Sequence, residues 1–82
     1  MAWGFIGGRL DTSVTIYSVK AKDRNGEKAL TKAGNWGYSG KVADGSCDVW
    51  VEYTRGGNIL EKHKIKTVKA FSVTIENFLN LP

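Results

Sequence analysis

Cysteine is almost missing from this chain: Cys47 is the one thiol in 82 residues. A single thiol excludes an internal disulfide and cannot supply the cysteine cluster of a structural zinc site. Histidine is equally scarce, with His63 alone, so one His and one Cys cannot close a zinc shell. The carboxylates also lack the packed spacing of a calcium loop, and no cofactor is expected. Long apolar runs are missing too. None nears the ~20 residues needed to cross a bilayer. The opening MAWGFIGGR lacks a basic leader and is too short for a secretory signal. These absences point to a cytoplasmic protein without a membrane partner.

What is present is an ordinary globular composition, 41% hydrophobic and 24% charged, with nine aromatic residues (three each of Trp, Tyr and Phe). A disordered chain would be poorer in such residues, having nothing to bury. The length feeds one core, so residues 1–82 are read as a single small domain.

All ten glycines lie between Gly4 and Gly57, whereas 58–81 has neither glycine nor proline. Glycine marks turns and bulges. Residues 12–64 therefore read as β-rich, and the glycine-rich 1–8 as a mobile N-terminus. In TSVTIYSVKAKDRNGEKALTK, Asn25-Gly26 predicts a type I′ hairpin turn. That turn sets Asp23 opposite Lys28 and Ala21 opposite Leu30, and Ser18 interrupts the alternation as a bulge would. NWGYSGKV and CDVWVEYT read as a second hairpin around Ala43-Asp44-Gly45. Trp36, Tyr38 and Val42 share one face of its first strand, and Cys47, Val49, Val51 and Tyr53 share one face of its second.

On a helical wheel, Leu60, Thr67, Val68, Phe71, Ile75, Phe78 and Leu79 fall within an arc of about 120°, the width of a core-facing stripe. Lys62, Lys66 and Lys69 stand opposite. A helix over about 65–80 follows, with Pro82 beyond its end. The competing strand reading rests on the alternation of Phe71, Val73 and Ile75 and on β-branched SVTI. The helix accounts for more apolar positions. The expected fold is α+β: an antiparallel β-sheet or sheets from the first two-thirds, packed against one C-terminal amphipathic helix.

Enzyme chemistry finds no constellation. Gly37-Tyr38-Ser39-Gly40 lacks the residue that G-x-S-x-G requires between serine and the second glycine. His63, between Lys62 and Lys64, has no local group to orient it as a base for Ser39 or Cys47. Asp48 and Glu52 stand about 13 Å apart along a strand, too far for paired glycosidase carboxylates. The chain is expected not to be an enzyme, with no catalytic, cofactor or metal residues.

Two surface features remain. Trp50 interrupts an otherwise polar strand face, which marks either a covered ring or an interface anchor. Formal charge is +4 overall, and the basic stretch Lys62, His63, Lys64, Lys66 and Lys69 carries most of the excess. Such lysines form a solvated face with apolar stems or a phosphate contact weakened by salt. Arginine, at three residues, is scarce for base-specific readout.

Glu61-Lys62-His63-Lys64-Ile65-Lys66 is similar to the Y-K-H-A-I-S signature of Hfq-type Sm-like RNA chaperones, and Ser13-Val14-Thr15-Ile16-Tyr17 looks like that family's first long strand. The resemblance implies a ring-shaped oligomer with Lys62 and His63 at a pore rim binding uridine-rich RNA. Glu61, Lys64 and Lys66 depart from the signature. The expected function is thus a small non-enzymatic interaction or assembly module. It would bind an unidentified protein partner or itself, as structural parts of mobile elements such as prophages do. RNA or DNA binding through 62–69 is the alternative.

Overall fold

The computed structural model describes residues 3–57 and 59–82, and every regular element among them is a strand. The strands are β1 (Trp3–Arg9), β2 (Thr15–Asp23), β3 (Gly26–Ala29), β4 (Thr31–Ala33), β5 (Gly37–Ala43), β6 (Gly45–Thr54), β7 (Glu61–Ala70) and β8 (Val73–Ile75). They make two four-stranded sheets, ordered β4-β5-β1-β8 and β3-β2-β6-β7. The chain passes from one sheet to the other four times: over residues 10–14 between β1 and β2, at Leu30 between β3 and β4, at Asp44 between β5 and β6, and at Phe71-Ser72 between β7 and β8.

Alternation explains the core. Cys47, Val49, Val51 and Tyr53 of β6 are buried, as are Val19 and Ala21 of β2 and Val68 of β7. Ile6, Tyr38 and Val42 face them from the other sheet, and Leu30 joins at its corner. The C-terminal segment completes the layer. Glu76 N–H donates to the Gly7 carbonyl at 2.9 Å and Phe78 N–H to that of Arg9 at 2.8 Å, so the chain runs on along β1 after β8 ends. Phe78 then stacks on Tyr38 with centroids 5.2 Å apart, and Leu81 is buried beyond it. The approach is close: a Cβ on Gly8 would meet the Glu76 carbonyl, and one on Gly4 the Ala70 carbonyl.

The expected helix over 65–80 does not form, and the fold is all-β instead of α+β. Residues 61–70 pair with β6 from Glu61↔Tyr53 to Ala70↔Gly45. Of the seven residues on the wheel's apolar arc, only Val68 and Phe78 are buried, whereas Phe71 and Ile75 stand 67% and 68% exposed. Ile65, Thr67, Val68, Val73, Thr74 and Ile75 are β-branched and lose side-chain freedom in a helix. A ten-residue partner strand offering a full backbone ladder decides the competition.

Three smaller expectations also change. The first hairpin pairs Asp23 with Gly26 and Ala21 with Lys28, a slip of two residues that leaves every side chain on its expected face. Its loop is Arg24-Asn25, with Gly26 at φ 113°. Asp23 fixes the loop by accepting the Asn25 N–H at 2.8 Å. The bulge near Ser18 is present, as a register shift between Ile16 and Ser18. Second, β5 and β6 do not pair with each other: β5 lies between β4 and β1, and β6 between β2 and β7. Trp36 is accordingly exposed instead of sharing the face of Tyr38 and Val42. Third, the stretch read as a mobile N-terminus is the inner strand β1 from Trp3 onward; Met1 and Ala2 lie outside the described residues. Among the described residues no helix is long and apolar enough to cross a membrane.

Candidate interaction surface

The sheet β4-β5-β1-β8 turns one face to the core and leaves the other open. Its outward residues follow from register. Phe5 stands beside Lys41 and Val73, Gly7 beside Ser39 and Ile75, and Arg9 beside Gly37. Thr31 and Ala33 of β4 continue these rows next to Ser39 and Gly37. Phe5, Val73, Ile75 and the adjoining Trp36 are all at least 45% exposed. They rim a depression of about 480 Å³ whose floor includes Gly7, Gly37 and Ser39. Arg9 and Trp36 also border a second hollow of about 340 Å³, closed by Leu10, Thr12 and Leu79.

Charge is distributed unevenly between the sheets. The four strands of this open sheet contain no Asp or Glu; their charged residues are Arg9, Lys32 and Lys41. Lys32 is turned away, its ammonium donating to the Ile16 carbonyl at 2.8 Å. Lys41 lies over the Trp3 ring at 4.8 Å, with Lys28 at 5.4 Å.

The opposite sheet's outer face is a lattice of mixed charge. Trp50 lies between Lys20 and Lys64 in register, with the Lys62 ammonium 5.6 Å from its ring. Trp50 is partly buried, with the stems of the neighbouring lysines beside its ring. Lys20 pairs with Glu52 at 3.2 Å, Lys64 with Asp48 at 3.5 Å and Lys62 with Glu27 at 3.9 Å. The Ser18 hydroxyl holds the Glu52 carboxyl below its usual range, and the Thr67 hydroxyl does the same for Asp48. Both acids therefore stay charged against the lysines.

The five residues of the basic stretch are not brought together. Lys62, Lys64 and Lys69 pair with Glu52, Trp50 and Ser46 on the outer face. His63 lies on the other side, stacked on Tyr53 at 5.7 Å and bonded to Glu61 at 3.0 Å. Lys66 reaches Glu76 at 2.5 Å. Charged side chains along β7, one of the two edge strands of its sheet, also discourage edge-to-edge pairing with other chains.

Ser39 and His63 stand in different sheets. Cys47 is sealed in the core, and burial pushes its thiol pKa up. Among the described residues no three His, Cys, Asp or Glu side chains group as metal ligands would. No family model matches this chain, and neither does any curated protein or solved structure.

Proposed function

We propose that this protein is a non-enzymatic interaction or assembly module whose contact surface is the open face of β4-β5-β1-β8. One observation carries the reading: Phe5, Trp36, Val73 and Ile75 gather exposed around a single depression. Covering one such side chain fully is worth about 1.5–3 kcal/mol. An exposed ion pair like those around Trp50 yields about 0–1 kcal/mol. The apolar face is therefore where a partner gains most, and patches of this kind mark interaction sites. The depression is lined mainly by apolar groups, with Arg9 and Ser39 among its few polar side chains, which favours a broad apolar contact over a small polar ligand. A reducing compartment such as the cytoplasm suits a buried, unpaired Cys47 thiol.

The test compares two single variants in one association assay, sedimentation over a range of concentrations together with capture of bound protein. Ile75→Lys should abolish the contact, while Trp50→Ala, on the far sheet, should leave it intact. A contact that survives Ile75→Lys but is lost in Trp50→Ala would move the surface to the other sheet.

A further inference from the structure

Building on that surface assignment, we infer that the occupant of the open face is a single amphipathic helix of a partner protein, its apolar stripe flanked by carboxylates. Backbone chemistry selects the helix. An extended segment laid across a sheet face would bury N–H and C=O groups against apolar side chains with nothing to pair them. A helix satisfies its own backbone and presents only side chains.

Dimensions agree. Strands lie about 4.8 Å apart, so the face spans about 14 Å from β4 to β8, room for one helix about 10–12 Å across. Gly7, Gly37 and Ser39 keep the middle low, with Trp36 on one side and Phe5, Val73 and Ile75 on the other. A helix seated there would meet apolar side chains on both flanks.

Charge decides between partners. The sheet offers Arg9 and Lys41 and has no carboxylate in any strand. Two copies docked by this face would bring together two Arg9 and two Lys41 without an acid between them. A partner carrying Asp or Glu beside its apolar stripe supplies the missing charge.

The experiment uses two synthetic helical peptides of about 15 residues, each with a leucine stripe, one flanked by glutamates and its twin by lysines. Binding is followed by anisotropy and by amide shifts of labelled protein. The glutamate peptide should bind at least about fivefold tighter, move Gly7, Ser39, Val73 and Ile75, and lose its advantage in the double variant Arg9→Glu, Lys41→Glu. Equal affinity for the twins, or shifts on the Trp50 face, overturns the inference. Dimerisation through this face without peptide identifies a second copy, and shifts seen only with phosphatidylglycerol vesicles identify a membrane; either result also overturns it. A natural contact surviving Ile75→Lys would defeat the surface assignment itself, whereas peptide binding on the face without glutamate preference would defeat only the occupant.

Discussion

Phe5 and Val73 stand side by side in parallel register on β1 and β8, both turned outward from the core. The pairing puts the start of the chain beside its end, and it creates the apolar face from residues nearly seventy positions apart. Because Val73 packs against so little, Val73→Lys should change unfolding free energy by no more than about 0.5 kcal/mol. Urea denaturation checks this. A loss of several kcal/mol would show that the side chain is covered.

Trp50 should behave differently. Its ring is half-buried on the central strand β6, between Lys20 and Lys64. Trp50→Ala is expected to cost about 1–2 kcal/mol through lost cross-strand contact. The lysines around it already have carboxylate partners. A short uridine-rich RNA titrated at low salt should therefore give no saturable shifts at Lys20, Lys62 or Lys64. Saturable binding that fades steeply with salt would restore the nucleic-acid reading.

Gly8 is a steric requirement. Its φ lies outside the left-handed region, so alanine is conformationally acceptable, yet the added Cβ would meet the Glu76 carbonyl. Gly8→Ala should destabilise by more than about 2 kcal/mol and release the C-terminal segment. Increased amide exchange at Glu76 and Phe78, whose N–H groups bond to β1, would report that release.

Asp23 links stability to pH. Burial alone would raise its pKa, but the N–H groups of Ala43 and Asn25, helped by Lys28 and Arg24, outweigh burial and lower it from the ordinary 3.8. A carboxyl with a lowered folded pKa stabilises fully above its unfolded value, and that contribution disappears as pH falls through the folded one. Relative to Asp23→Asn, the wild type should be more stable at about pH 7, with the gap closing below about pH 4. A pH-independent gap would mean that the carboxylate's charge is not involved.

Much of β6 was legible because its period-two pattern is local: Cys47, Val49, Val51 and Tyr53 point inward as read. β7 was not, for a definable reason. Its register shifts between Val49 and Trp50, leaving Ile65 as an extra residue. The outward set becomes Lys62, Lys64, Thr67 and Lys69, so no single period of two runs through the strand to mark it as one. Likewise, Gly4 and Gly8 read locally as looseness, whereas they admit the Ala70 and Glu76 carbonyls from the far end of the chain. The open face was illegible because Phe5, Val73 and Ile75 have core-like chemistry, and only the two-sheet topology shows which side lacks a cover.

The most direct measurement is paramagnetic relaxation of methyl signals by a soluble agent, with dilute protein. The Val73 and Ile75 methyls should relax strongly while those of Val49 and Val51 remain shielded. If Val73 and Ile75 are as protected as the valines of β6, the face is closed, and the contact surface assigned here does not exist.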